Sequence, residues 1–299
     1  MDQKIFPNIL LVLLITALLS VALPVRVQGE DRSILTTILP LTIFTENLVR
    51  GVEGIRVDLL MNGNIPDPHT YTLVVKDLLK ISRAKVIVAN GFAEGNLDFQ
   101  RIGKINPEAP IILTRAIAAR APGLPQIPLS NPHTWLSPKR AIIVCEGIAN
   151  ELIRVFPGAR LLIKKNLQDY KKRLLHLSLN ISRILEKSDR VRLISFHDAL
   201  DIFSLDYGIP TPIHVEEVHG VTPSIGKILK IVKRPSQEKW KSLLVSETSL
   251  PDKVTKRLSE LSHIPVIWFD PVLQGSRDLT GYEERMLKNV EKLSSSGTM

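Results

Sequence analysis

The stretch LQDYKKRLLHLSLNISRI, residues 167–184, decides the fold. Its apolar side chains Leu167, Tyr170, Leu174, Leu177, Ile181 and Ile184 recur at steps of three and four, with charged or polar residues at most other positions. One face of a 3.6-residue helix has that spacing, so the stretch predicts an amphipathic helix. Pro157-Gly158 punctuates its start and Ser188-Asp189 its end. From Arg160 to Lys187 such a helix extends about 42 Å at 1.5 Å per residue. A flexible linker would be rich in glycine and serine instead. This one reads as a stiff spine that packs on its own chain and resists wide hinge bending.

On both sides of the spine, short apolar runs alternate with helical patterns. Ile34–Leu39, Ile55–Met61, Lys85–Ala89 and Pro110–Leu113 read as strands before it. Arg192–Phe196, Thr211–Val215, Leu243–Ser246 and Val266–Phe269 read as strands after it. Leu73–Arg83, with Val74, Leu78 and Ile81 on one face, is a helix by the same periodicity, as are Ser224–Val232, Asp252–Leu261 and Tyr282–Leu293. Strands alternating with helices give βαβ units and mostly parallel sheets. The fold class expected is therefore α/β, with two lobes at 30–159 and 189–299 joined by the spine at 160–188, and the proline-rich segment 121–132 as a loop.

Residues 1–29 read as a targeting segment. Lys4 precedes a predominantly apolar stretch from Ile9 to Leu23, followed by Pro24 and Val27-Gln28-Gly29. That stretch makes a helix of about 22 Å, short of a roughly 30 Å hydrocarbon core. The pattern fits a secretory signal cut near Gly29, with a retained anchor as the alternative. Cleavage removes Lys4 and Arg26 against Asp2, so the net charge of +9 becomes +8. Basic residues are scattered without interleaved aromatics, which argues against nucleic-acid recognition. Aromatic content of 5% argues against an aromatic-cage receptor. The only cysteine, Cys145, shares a predicted helix face with Ala141, Ile148 and Leu152 and reads as a small buried hydrophobe. No cysteine stands at the expected cut, so the expectation is an exported, monomeric periplasmic protein without a lipid anchor.

Four residues carry the chemistry. His69 follows Pro66-Asp67-Pro68, where prolines restrict the approach. His133 lies in Asn131-Pro132-His133-Thr134-Trp135-Leu136-Ser137-Pro138, with Ser137 and Pro138 placed as N-cap and first residue of a helix. His197 ends Leu193-Ile194-Ser195-Phe196, and Asp270 ends Val266-Ile267-Trp268-Phe269. Parallel sheets gather ligands at the carboxyl ends of their strands. Three imidazoles and a carboxylate converging there would complete a shell for a borderline divalent metal, zinc first, with manganese or iron as alternatives. Each residue alone is equally a turn histidine or a helix cap; the four together, two per half, favour a site.

These motifs resemble the metal-binding receptors of bacterial ABC importers for zinc and manganese, the TroA/ZnuA-like group with a helical backbone. The resemblance covers nearly everything after the signal. It rests on Pro68-His69-Thr70-Tyr71, the block 131–138, Phe196-His197-Asp198-Ala199 with Tyr207-Gly208, and Phe269-Asp270-Pro271. It implies two α/β lobes on one long helix, and one metal held between them by His69, His133, His197 and Asp270. It also implies an inner-membrane permease with its cytoplasmic ATPase as partner. Glu247, after Leu243-Leu244-Val245-Ser246, matches an acidic position facing the cleft. Two features depart from zinc-dedicated members: there is no histidine-rich loop after the first ligand region, and Asn131 stands where many members carry an acid.

The leading function is thus non-enzymatic capture and delivery of a metal. A secreted zinc metallohydrolase is one alternative, but it needs an open coordination position and a general base, and no His-Glu-x-x-His occurs. An adhesin with a structural metal is the other; it would unfold on metal removal, unlike a receptor. His214 and His219, flanking Glu216-Glu217, form a weaker second cluster, and His176 and His263 read as structural.

Overall fold

Isoleucine and valine dominate the short apolar runs, and β-branched side chains fit a pleated, buried surface. In the computed structural model these runs form two four-stranded sheets. The structure describes residues 32–61, 68–91, 94–128, 130–187, 191–215, 224–232, 241–247 and 252–295. The first sheet contains β1 (Arg32–Thr36), β2 (Ile55–Leu59), β3 (Val86–Ala89) and β4 (Ile111–Leu113), in the order β2-β1-β3-β4. The second contains β5 (Val191–Ser195), β6 (Ile213–His214), β7 (Lys241–Glu247) and β8 (Val266–Phe269), in the order β6-β5-β7-β8. All pairings are parallel; Ile34 lies opposite both Val57 and Val86, and Leu244 opposite both Ile194 and Val266. Such pairs require crossover connections, which are usually helical and cover the sheet faces.

The first half supplies α1 (Leu39–Val49), α2 (Val75–Arg83), α3 (Phe99–Ile105), α4 (Thr114–Ala119) and α5 (Pro138–Val155). The spine is α6 (Arg160–Glu186), 27 residues long, or about 40 Å. The second half supplies α7 (Asp201–Tyr207), α8 (Ile225–Val232), α9 (Asp252–Ser262) and α10 (Gly281–Ser295). The spine's predicted stripe faces inward, with Leu167, Tyr170, Leu174, Leu177 and Ile181 buried and Ile184 packed beside them. Each such fully buried side chain stabilises the fold by roughly 1.5–3 kcal/mol. Cys145, Ala141, Ile148 and Leu152 share the buried face of α5, as expected. Among the described residues no helix is long and apolar enough to cross a membrane. The signal at 1–29 lies outside the described residues.

Two elements differ from the sequence expectations. The run Ile34–Leu39 is not one strand, because β1 stops at Thr36 and Pro40 sits in the first turn of α1. Every residue of α1 except Glu46 is buried, Thr42, Thr45 and Asn47 included; a helix covered nearly all round needs no apolar stripe, so periodicity cannot reveal it. In α2 the expected inner face of Val74, Leu78 and Ile81 is wrong. Asp77 and Ile81 are buried, and Val74 and Leu78 are exposed. The cause is local: the Asp77 carboxylate accepts hydrogen bonds from the Tyr71 hydroxyl at 2.6 Å and the Val74 amide at 3.0 Å, which fixes the helix about its axis.

One hydrophobic core runs through both halves. Phe44 of α1 meets Tyr282 of α10 edge-on at 4.8 Å between ring centroids, and both belong to the cluster that includes the spine stripe. Near the site a second tie is ionic. The Arg140 guanidinium donates to Asp206 at 2.8 and 2.7 Å, with both side chains fully buried. It also donates to the Ala118 and Pro125 carbonyls. Ser137 occupies the N-cap position of α5, but its hydroxyl donates to Asp206 at 2.6 Å instead of capping the helix.

Candidate metal centre

His69 sits in a 3-10 turn, Pro68–Thr70, that follows β2. The turn is pinned by the Tyr71–Asp77 hydrogen bond and by the Asn96 amide donating to the Tyr71 carbonyl at 3.0 Å. His133 precedes another 3-10 turn, Thr134–Leu136, which leads into α5. His197 follows β5 directly and starts the turn Asp198–Leu200. The three elements converge. Nε2 of His133 lies 3.4 Å from Nε2 of His69 and 3.4 Å from Nε2 of His197. One ligand nitrogen from each of the three residues lies within 4.8 Å of the others. His133 is buried and the other two are half-buried, so the cluster has a dry side and an open side.

The supporting shell orients the deepest imidazole. Asn131 Oδ1 accepts from the His133 backbone amide at 2.9 Å and lies 3.1 Å from His133 Nδ1. A carbonyl oxygen only accepts, so this contact places the ring proton on Nδ1 and leaves the Nε2 lone pair for a metal. The Asn131 amide also donates to the Asp198 carbonyl at 2.7 Å, linking the two halves beside the site. The Asp198 carboxylate is 3.7 Å from His133 Nδ1. Burial pushes its acid up from the ordinary range, and the neighbouring His197 pulls the other way. Trp135 packs edge-on against His133 at 5.3 Å and donates its Nε1–H to the Pro271 carbonyl at 2.7 Å. Sequence reading treated Asn131 only as a departure and overlooked Asp198. The Asn-Pro-His spacing is a usable signal, because an Asx side chain commonly bonds the backbone two residues on.

Asp270 is placed differently from the imidazoles. It follows β8, as expected, but contributes no atom to the converging ligand group. Its Oδ1 accepts from the Val272 amide at 3.1 Å and its Oδ2 from the Gln274 amide at 2.7 Å, closing the turn after the strand. Burial raises its pKa against the opposing pull of those amides and Arg285. Glu247 ends β7, but its side chain lies outside the described residues. So do Glu216, Glu217 and His219. His214 pairs with Asp201 at 2.8 Å, His176 lies exposed on the spine beside Asn180, and His263 sits with positive φ at the exit of α9. Three nitrogen donors in one hollow suit a borderline divalent metal and are poorly suited to magnesium or calcium, which take oxygen ligands.

Comparison with known proteins identifies the family and the fold. Residues 34–296 match the family model described as ZnuA, zinc-uptake complex component A, periplasmic. The chain is 25% identical over 268 residues to a protein of Streptococcus anginosus named manganese ABC transporter substrate-binding lipoprotein PsaA, covering 83% of this chain and 84% of that one. The fold matches the substrate-binding protein FpvC of P. aeruginosa, solved with Ni2+, at a TM-score of 0.76 and 24% identity over 90% of this chain and 97% of that one. It also matches ZnuA at a TM-score of 0.73 and 23% identity, over 90% of this chain and all of that one.

Proposed function

The chain belongs to the ZnuA family of zinc-uptake components, and from that premise we propose how it holds its cargo. It is a substrate-binding protein that captures a divalent transition metal for an ABC importer, and it is not an enzyme. His69, His133 and His197 bind the metal through Nε2, and Asp270 is the fourth donor, reached by a shift of the turn at 270–274. In the same reading Glu247 supports the ligands from outside the metal's own contacts. Zinc is the first candidate cargo, with manganese or iron as alternatives; three imidazoles suit all three, and zinc gains most from raw affinity. The lobes are 30–159 and 189–299, linked by 160–188. Export through residues 1–29 to the periplasm, action as a monomer and delivery to an inner-membrane permease with its ATPase belong to the same reading. The observation that carries it is the convergence of three imidazole nitrogens from both halves.

Calorimetric titration of metal-free protein tests the ligand set. One tight site per chain is expected. His197→Ala weakens binding at least about tenfold, or roughly 1.4 kcal/mol, while His176→Ala leaves it unchanged. An unaffected His197→Ala protein, or two equivalent sites, refutes the assignment. Metal analysis of the protein purified from its native envelope identifies the cargo.

A further inference from the structure

The rotation of α2 leaves an apolar ridge facing solvent on the helix that follows the His69 turn. Val74, Val75, Leu78 and Leu79 are exposed by 48, 76, 39 and 52% of their surface. Four large apolar side chains within six residues make a patch that ordinary surfaces avoid, and such patches mark interaction sites. Lys76 and Arg83 of the same helix are also exposed. The helix's one acid, Asp77, is buried and turned inward to Tyr71. The ridge is therefore apolar at its centre and cationic at its rim.

Position and charge both select a partner. The ridge begins five residues beyond His69 in the chain, and the Tyr71–Asp77 hydrogen bond fastens α2 to the turn that carries that imidazole. A pathway that admits a divalent cation is lined at its mouth by acidic groups. An acidic rim around an apolar seat complements this ridge, and a partner seated here lies next to the cargo as it leaves. We propose that the exposed face of α2 is the docking surface for the importer's permease, a partner presenting apolar contacts within an acidic border. The inference rests on the metal-receptor reading above.

The test uses the full-length protein with membrane vesicles from its native host and radioactive zinc as the probe. The double variant Val75→Asp, Leu79→Asp keeps the wild-type zinc affinity in solution and loses at least about tenfold in vesicle uptake, as removal of interface anchors does. Uptake at the wild-type rate overturns the proposal. A wild-type protein that binds none of zinc, manganese and iron would instead overturn the receptor reading. A second measurement is independent of the double variant's folding. Cys145 is fully buried, so Leu79→Cys offers an accessible thiol for a photo-crosslinker. Cross-links to the importer's transmembrane subunit support docking on α2. Cross-links confined to lipid, to a second copy of this chain or to unrelated membrane proteins overturn it.

Discussion

The two sheets share one strand order, with the first strand of each flanked by the second and third, yet they deliver their donors from different places. In the second half His197 follows β5, the strand equivalent to β1. In the first half the matching place holds Ile38, and the histidines come from the turn after β2 and from the loop beyond α4. Their buried carboxylates differ as well. Asp206 of the second half meets Arg140 of the first in a closed ion pair. Glu94 of the first half bonds to no cation among the described residues and rests on the Asn90 and Gly91 amides and the Thr37 hydroxyl. The architecture locates the crevice, and the loops and buried polar groups decide what each half does there.

The largest expected effect comes from breaking the fully buried ion pair that joins the halves. Asp206→Ala strips Arg140 of its carboxylate while leaving the guanidinium buried. Removing one partner of a buried pair costs about 3–5 kcal/mol, because the other charge stays uncompensated. Urea denaturation should show that loss in a single transition, since one core spans both halves. If instead the second half melted separately in the variant, the ion pair would be the principal tie and the shared core a minor one.

Glu94 sharpens the same contrast through pH. Burial pushes its carboxyl up to about 7, against the opposing pull of its amide and hydroxyl donors. The folded state thus holds this proton more tightly than the unfolded chain, whose carboxyl titrates near its ordinary value of 4.5. The contribution is full below that value and is lost as pH rises through 7. At about 1.4 kcal/mol per pKa unit, roughly 3 kcal/mol disappears between the two values. Glu94→Gln cannot titrate, so its stability curve should be flatter over that window, whatever its absolute stability. Equal slopes for the two proteins would show that the carboxyl is ionised at both ends of the range.

Much of this was legible in the sequence, for physical reasons that differ by element. The spine declared itself because its stripe is long and one-sided, and β8 because Val266–Phe269 is a short apolar run between turn signals. Buried α1 hid because it is covered on nearly every side and its polar residues are buried with the rest. In α2, a single aspartate bonded to Tyr71 overrode the apolar pattern. At the site, the histidines stood out by chemistry; strand-end placement located His197, while His69 and His133 reach the cluster from a turn and a loop. The closure of Asp270 on its own turn, and the support of His133 by Asn131, depend on side-chain hydrogen bonds that no periodicity encodes.

Asn131 allows a smaller and more specific test of how the first half holds its deepest donor. Supporting residues that orient a ligand histidine change metal affinity by about 10–100-fold when removed. Asn131→Ala should therefore weaken binding within that range, about 1.4–2.7 kcal/mol. Asn131→Asp keeps an acceptor for Nδ1–H but loses the bond to the Asp198 carbonyl. It should bind more tightly than the alanine variant. Equal weakening in both would shift the importance from ring orientation to the link between halves.

The smallest effect is expected at His214, which contrasts with His133 in the kind of partner its ring meets. His214 ends β6 and His133 stands before the turn into α5, and each has a short polar neighbour. His133 meets a neutral carbonyl through Nδ1 and turns Nε2 toward two other imidazoles. His214 presents Nε2 to Asp201, in a pair about a third exposed on each side. A half-solvated pair of this kind contributes about 0–1 kcal/mol. His214→Ala should thus shift the denaturation midpoint only slightly and leave metal affinity and stoichiometry at wild-type values. A drop in stoichiometry would mean that this histidine also binds metal, and the second half would then hold a site of its own.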